Sequence, residues 1–152
     1  MEVKKRMQLS KSFGYAVRGV LYVAIKADVL RKVQLDEIAR ELAVPRHFLA
    51  KIMKRVVKEG ILSSTRGPYG GFSVNDKTLE ITIIKLIELT DGLEQFNSCV
   101  LRLKKCNIAN PCPLHSQMEI CNKNFYKIFA GTTIADLLKQ DHPEFIRSIA
   151  IN

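Results

Sequence analysis

The segment from Pro45 to Gly60 constrains the fold of this chain more than any other part of the sequence. Its apolar residues recur at spacings of three and one, which is the pattern of a helix that buries one face. Pro45 suits the first position of a helix, and Gly60 suits its left-handed C-terminal cap. We therefore predict an amphipathic helix over 45–59. Its inward residues are Leu49, Ile52, Met53, Val56 and Val57.

A shorter amphipathic helix is predicted directly before it, over 34–43. Val44 and Pro45 then interrupt the chain, and the outward face of the following helix is cationic. Two short helices joined by a tight turn, the second of them cationic, are typical of a helix-turn-helix that binds DNA. An ordinary helical hairpin with a lysine-rich exterior fits the same periodicity. A mostly apolar helix over 13–27, predicted to be buried on most sides, precedes both.

The positive charge of the chain is concentrated in its first part. Residues 1–60 hold 14 Lys and Arg against 6 Asp and Glu, whereas residues 81–152 hold 8 against 7. Such an asymmetry is expected if one part of the molecule contacts a polyanion such as nucleic acid. A solvated, lysine-rich surface would give the same count.

The residues after the cationic helix have the pattern of a β-hairpin. Ile61–Thr65 and Phe72–Val74 favour strands, and four of the eight glycines fall between positions 60 and 71. A hairpin tip needs such glycines for positive φ angles and close backbone approach. Arg66 lies at this tip, where an arginine can enter a narrow minor groove. The position of the hairpin predicts the wing of a winged helix, with a plain surface hairpin as the alternative.

The four cysteines lie within one short stretch, and the first 98 residues have none. Local clustering in a chain without secretory features indicates a metal, a cluster or a redox switch. Three cysteines and a histidine, spaced Cys-x6-Cys-x5-Cys-Pro-Leu-His, form a complete four-ligand set suited to zinc or an iron–sulfur cluster. The spacing lacks the Cys-x2-Cys pairs of ordinary structural zinc sites. Inert cysteines that pack as small apolar residues are the alternative.

The chain resembles the IscR/NsrR/CymR family of bacterial winged-helix regulators from about residue 7 to residue 140. The resemblance lies in residues 9–18, 37–42, 48–53 and 60–72, and its most diagnostic part is Arg66-Gly67-Pro68 followed by Gly70-Gly71. It implies a mainly α-helical fold with a small β-hairpin wing. The expected parts are a winged helix-turn-helix over 1–80, a connecting helix and cysteine-rich loop over 81–113, and a dimerisation helix with the C-terminal segment over 114–152.

The resemblance also implies an iron–sulfur cluster, which IscR-like members hold as [2Fe–2S] through three cysteines and a histidine. The matching residues are Cys99, Cys106, Cys112 and His115, although the first gap is one residue longer than usual. NsrR-like members use an N-terminal aspartate toward a [4Fe–4S] cluster, and Gly14 stands at that position here. CymR-like members lack the cysteines. Because such clusters are lost readily in air, an aerobic sample can lack the cofactor.

Behind the cysteines, apolar residues recur at spacings of four and three, a seam of period 3.5 that is typical of two helices wrapping around each other. The seam consists of Leu114, Met118, Cys121, Phe125 and Ile128. Gly131 ends this helix, and Thr133 with Asp136 forms a capping box for a helix over 134–139. We expect a homodimer built on the seam, with intramolecular packing as the alternative and with Cys121 buried in it rather than acting as a ligand.

These observations predict a homodimeric transcription regulator that binds a pseudo-palindromic site on double-stranded DNA and senses iron–sulfur or redox status through its cluster. The residues expected to contact DNA lie on the cationic helix and the wing: Arg46, His47, Ala50, Lys51, Lys54, Arg66, Gly67, Pro68 and Tyr69. The alternatives are a structural zinc, a metal-free thiol switch, or a redox carrier that does not bind DNA.

Several function classes are not expected for this chain. None of its three histidines lies in a recognisable catalytic motif, so we expect neither an enzyme nor a small-molecule substrate. No run approaches the ~18 apolar residues of a membrane span. No apolar segment with a cleavage site follows the basic N-terminus, so a cytoplasmic protein is expected.

Overall fold

The computed structural model describes residues 9–26, 31–97, 99, 101, 108–139 and 148. It is mainly helical with one two-stranded hairpin, which confirms the expected fold class. Among the described residues, no helix has the length and apolar character needed to cross a membrane. The elements in chain order are α1 (Lys11–Lys26), α2 (Leu35–Glu41), α3 (Arg46–Lys58), β1 (Ser63–Thr65), β2 (Gly71–Ser73), α4 (Ile83–Thr90), α5 (His115–Ala130) and α6 (Ile134–Leu137), with single 3-10 turns at Thr78–Glu80 and Glu94–Phe96.

Helices α2 and α3 form the predicted helix-turn-helix. The turn between them contains Ala43 at φ 51°, and the Val44 N–H donates to the Ala39 carbonyl oxygen at 3.0 Å. Pro45 caps α3 from just outside the helix, so α3 begins one residue later than predicted. The predicted inward stripe of α3 is confirmed: Leu49, Ile52, Met53 and Val56 are buried, and Val57 is half-buried.

The hairpin after α3 is held against the helices by a third backbone segment. β1 and β2 are antiparallel, with Ser64 opposite Phe72. Val33, just before α2, exchanges two backbone hydrogen bonds with Phe72, at 2.9 and 2.8 Å. Ile61 and Leu62, predicted as strand residues, are instead buried bends, because they fill the core below the hairpin. The wing therefore has a fixed base next to α2.

Two glycines of the wing are required by close backbone approach rather than by flexibility. A Cβ atom on Gly70 would lie 2.1 Å from the carbonyl oxygen of Thr65, and one on Gly71 would lie 2.6 Å from that of Val33. Both distances are far below van der Waals contact. The glycines at these two positions therefore let the two strands and the 33–34 segment meet.

The hydrophobic core contains residues both from the first helices and from α6. Ile134 of α6 is fully buried in the same cluster as Val20 of α1, Leu49 of α3 and Leu86 of α4. Backbone hydrogen bonds hold α6 in place, since the Ile134 N–H donates to the Ile81 carbonyl oxygen at 2.9 Å. The predicted capping box is confirmed, with Thr133 and Asp136 bonding each other's backbone N–H. The segment beyond α5 thus completes the core formed by α1, α3 and α4.

Helix α5 is the least buried long helix among the described residues, with no fully buried residue. The predicted seam divides along its length. Met118 and Phe125 are half-buried, and the Phe125 ring packs on Phe96 and Phe129 of the same chain. The exposed seam residues are Leu114, Cys121 and Ile128. Intramolecular packing therefore accounts for part of the seam only.

Tyr22 of α1 provides a test of how the folding stability of the chain depends on pH. Its ring is 4% exposed, and its hydroxyl donates to Oε1 of Glu37 at 3.0 Å. Burial and the Glu37 carboxylate raise the pKa of Tyr22 to about 12, from about 10 in an unfolded chain. Because the folded pKa is the higher one, the stabilisation is complete below pH 10 and is lost as the pH rises toward 12.

We expect the wild-type chain to lose up to about 2 kcal/mol more unfolding free energy than Tyr22→Phe between pH 9 and pH 12. Urea denaturation of both chains at a series of pH values measures this difference. Comparing the two at each pH cancels the titration of lysines, which they share. Parallel pH profiles would contradict the prediction.

Candidate DNA-binding surface and cysteine cavity

The outward face of α3 is available for contact with a partner. The predicted contact residues on it, Arg46, His47, Lys51 and Lys54, are exposed, and Ala50 is half-buried between them. The inward stripe fixes the rotation of α3, so these side chains share the opposite face. Cationic side chains on one exposed helix face suit phosphate and base-edge contacts.

A groove of about 460 Å³ separates α3 from the wing. Arg46 lies in this groove, and its guanidinium donates a hydrogen bond to the carboxylate of Asp36 on α2. Both side chains are more than half exposed, so the pair contributes little to stability. The groove is lined by Gln34, Leu35, Asp36, Arg46, Ala50, Lys54, Val57, Ser64, Thr65, Gly67, Gly70, Gly71 and Phe72.

The tip of the wing projects into solvent. The Gly70 N–H donates to the Gly67 carbonyl oxygen at 2.9 Å, which closes a tight turn around Pro68 and Tyr69. Tyr69 is 93% exposed, and Arg66 next to the turn is also exposed. The predicted wing contacts, Arg66, Gly67, Pro68 and Tyr69, are therefore all accessible.

Three residues missed by the sequence analysis take part in this surface. Phe48 of α3 is 51% exposed and stacks on His47 with ring centroids 4.2 Å apart. Gln34 donates through Nε2 to the Pro68 carbonyl oxygen at 3.1 Å, and Lys32 donates to Oγ1 of Thr65 at 2.5 Å. The position of Phe48 outside the inward stripe was the available signal. Gln34 and Lys32 gave none, because their contacts depend on the tertiary position of the wing.

A second cavity, of about 250 Å³, brings together three of the four predicted ligand residues. Cys99 follows the turn at Glu94–Phe96, while Cys112 and His115 lie at the start of α5, where the His115 N–H donates to the Cys112 carbonyl oxygen at 3.0 Å. Cys106 lies outside the described residues. The cavity is lined by Phe96, Asn97, Cys99, Ile108, Cys112, Leu114, His115, Met118, Glu119, Asn122 and Lys123.

The chemistry of this donor set suits a soft metal centre. Thiolate sulfur and imidazole nitrogen are ligands of iron–sulfur clusters and zinc, and the N-terminal end of α5 favours negative charge. Within the described part of the chain, no three His, Cys, Asp or Glu side chains are close enough to hold a metal ion together. Because Cys106 is not among those residues, the four-residue ligand set stays a prediction. Cys121 is exposed and does not line the cavity.

Polar groups at the cavity differ in their partners. Glu119 and Lys123 form a salt bridge at 2.9 Å, and the hydrogen bond and charge of Lys123 hold the pKa of Glu119 below its usual value. In contrast, the Oδ1 atom of Asn122 is buried and has no hydrogen-bond partner among the described residues. The cavity thus contains one ion pair and one amide oxygen without a hydrogen-bond partner among the described residues.

The last turn of α4 lies between the helix-turn-helix and the segment that leads to the cysteine cavity. The Arg55 guanidinium of α3 donates to the Leu89 carbonyl oxygen, and the Ser10 N–H donates to Oδ2 of Asp91 at 2.7 Å. Five residues after Asp91, Phe96 is buried against Phe125 and Tyr126 of α5 and lines the cavity. The end of α4 therefore contacts α3 and the residue before α1, and a short segment joins it to the cavity wall.

The chain is similar to known transcriptional regulators. Residues 9–140 match the Rrf2 family, described as iron-dependent transcriptional regulators. A protein of Aquifex aeolicus, named as an HTH-type transcriptional regulator, is 37% identical over 134 residues, which are 87% of this chain and 92% of that relative.

Solved structures show the same fold. CymR, the global cysteine regulator of B. subtilis, matches with a TM-score of 0.69 and 20% identity, over 87% of this chain and 96% of that one. IscR of T. potens matches with a TM-score of 0.69 and 21% identity, over 90% of each chain.

Proposed function

The chain belongs to the Rrf2 family of transcriptional regulators, which are not enzymes, and on that premise we propose that it is a cytoplasmic, homodimeric regulator whose affinity for its DNA operator depends on an iron–sulfur cluster. The observation that carries the proposal is the shared cavity of Cys99, Cys112 and His115, next to the helix end that contacts α3. The family's description as iron-dependent agrees with it.

DNA recognition is assigned to α3 and the wing. In this proposal α3 enters the major groove, with Arg46, His47, Lys51 and Lys54 directed toward bases and phosphates and Ala50 toward a thymine methyl group. The wing tip contacts the flanking minor groove through Arg66, Gly67, Pro68 and Tyr69. The exposure of all these residues except half-buried Ala50 supports the assignment.

The cluster is assigned to Cys99, Cys106, Cys112 and His115, preferably as [2Fe–2S]. When bound, such a group supplies a one-electron redox centre that oxidants can damage. His115 is positioned by the first turn of α5, Cys112 by the hydrogen bond of its carbonyl oxygen with the His115 N–H, and Cys99 by the turn at Glu94–Phe96. Phe96, which is buried, and Met118, which is half-buried, give the cavity apolar walls.

Coupling to DNA is assigned to the last turn of α4. In this proposal a change at the cavity wall moves Phe96, which a short segment joins to the end of α4, and the contact of Arg55 with Leu89 passes the displacement to α3. The coupling requires that the loaded and cluster-free chains differ in DNA affinity.

A second copy of the chain is proposed to cover the exposed face of α5. Ile120 and Ile128 are each 61% exposed and Leu114 is 44% exposed, which leaves an apolar surface uncovered in one chain. Two copies related by a two-fold axis would present two α3 helices to half-sites one helical turn apart, or a multiple of it. Light scattering of the purified chain checks the dimer, and a monomer at micromolar concentration would contradict it.

The proposed function is tested on anaerobically purified full-length chain. We expect visible absorption, iron and sulfide in comparable amounts, and an operator affinity that changes when a chelator strips the cluster. The operator is first recovered by selecting genomic fragments that the chain retains. A colourless protein with one tightly held zinc per chain would contradict the cluster, and equal affinities of loaded and stripped protein would contradict the sensing role.

Replacing Arg66 by alanine is expected to weaken operator binding about tenfold at moderate salt. The slope of log affinity against log salt concentration should also become shallower by about one, because one cationic contact at the wing tip is lost. Gel-shift titrations at several salt concentrations measure both effects. Lys127→Ala, which removes an exposed cation from α5, is the matched control and should change neither. Unchanged affinity of the Arg66 variant would remove the wing from the proposed interface.

A further inference from the structure

The cavity that contains Cys99, Cys112 and His115 also contains a polar group without a partner. The Oδ1 atom of Asn122 is buried and accepts no hydrogen bond from any described residue. An unsatisfied buried carbonyl oxygen costs free energy, because its hydrogen bonds to water are not replaced. Such groups are few in folded proteins and each calls for an explanation.

Asn122 lines the same cavity as three of the predicted ligands. It follows His115 by seven residues, which is about two turns along the same helix face. Helical side chains lean toward the N-terminal end of their helix, which here is the end with His115 and Cys112. The nearby walls are largely apolar, with Phe96, Ile108 and Met118 among them.

An amide offers two different groups to this cavity. Its oxygen and its NH₂ have nearly the same shape, so a half-turn of the side chain places a donor where Oδ1 lies. The sulfur atoms of a thiolate-bound cluster are negatively charged acceptors. Hydrogen bonds to these sulfurs raise the reduction potential of a cluster, because they stabilise the more negative, reduced state.

We propose that the side-chain amide of Asn122 donates a hydrogen bond to a sulfur of the cluster and raises its reduction potential. This inference rests on the proposed function, since it requires a cluster in the cavity. It assigns to Asn122 a positioning and tuning role, and not the role of a fifth ligand.

The test is a spectroelectrochemical titration of the full-length chain, loaded anaerobically. Asn122→Leu keeps the approximate volume but removes the donor, so the midpoint potential should fall. At a fixed ambient potential near the midpoint, the ratio of reduced to oxidised cluster should fall about three- to tenfold. Asn122→Asp should lower the potential at least as much, because a carboxylate cannot donate and adds negative charge. Asn124→Ala on the exposed side of the same helix also removes an amide, does not touch the cavity, and should leave the potential unchanged.

A purely structural role for Asn122 gives a different result. In that case Asn122→Leu would change the thermal midpoint of the cluster-free chain, while loaded chains would keep the wild-type potential. Equal potentials in wild type, Asn122→Leu and Asn122→Asp would overturn the inference and leave the proposed function intact. A wild-type chain that retains no iron and sulfide under anaerobic loading would overturn the proposed function itself.

Discussion

The Cys112→Ser chain is expected to be isolated with almost no iron or sulfide and without visible absorption. A serine hydroxyl is a poor ligand for iron at neutral pH, whereas thiolate sulfur is a preferred one. The affinity of this variant for the operator should equal that of stripped wild-type protein. Couplings of this kind are typically about 5- to 150-fold, so we expect a change within this range relative to the loaded wild type.

Cys121→Ser is the matched control for this prediction. It makes the same chemical change nine residues further along the chain, but Cys121 is exposed and does not line the cavity. This control should retain iron, sulfide and wild-type affinity, and both variants should keep the oligomeric state of the wild type. A Cys112→Ser chain that holds a full complement of iron and sulfide would mean that the ligand set is wrong.

Replacing Gly70 by alanine is expected to remove most of the contribution of the wing to operator binding. The added Cβ atom would lie 2.1 Å from the Thr65 carbonyl oxygen and 2.8 Å from the carbonyl carbon of Arg66. Both atoms belong to the backbone, so the hairpin itself must open. We expect about 1–3 kcal/mol of destabilisation and at least about a tenfold loss of operator affinity.

Gly14→Ala on α1 controls for the general effect of adding a methyl group to a glycine. No atom lies within 4 Å of the Cβ position of Gly14, which is inside a helix. Because alanine is the better helix former, this control should be neutral or more stable by roughly 0.5–1 kcal/mol. Thermal melts and operator titrations of both variants provide the comparison. Wild-type affinity of a folded Gly70→Ala chain would show that the wing does not contact DNA.

Helix α3 and the helix ends were predictable because their sequence signals are local. The apolar spacing of Leu49 to Val57 defined α3 and its buried face, and the residues Thr133 and Asp136 formed the expected capping box. Gly60 adopts positive φ at the predicted C-terminal end of α3. In each case the signal lies within a few residues of the structure that it predicts, so no tertiary information was needed.

Features that depend on distant segments were not predictable. The bridge between Val33 and Phe72 joins segments almost forty positions apart, and Ile134 enters the core from beyond the cysteines. The periodicity of the α5 seam could not distinguish packing within the chain from packing between chains. In the structure, Phe125 packs on Phe96 and Phe129, whereas Ile128 is exposed.

The candidate site was predictable in its residue types but not in its surroundings. Spacing alone identified Cys99, Cys112 and His115 as a group, and the fold places them along one cavity. Spacing could not show that Asn122 lines the same cavity, because an asparagine on a helix is usually a surface residue. Nor could it show the Arg46–Asp36 contact, which arises only when α2 and α3 cross.

The burial of Ile134 among residues of α1, α3 and α4 has a consequence for how the protein is synthesised. This isoleucine leaves the ribosome after every other member of that buried cluster. Truncating a buried isoleucine to alanine typically costs about 2–5 kcal/mol, and losing it with its whole helix costs no less. A nascent chain therefore cannot complete its DNA-binding half before the segment beyond the cysteines has been translated. A chain that stops between the cysteines and Ile134 is therefore expected to be less stable than the full-length chain.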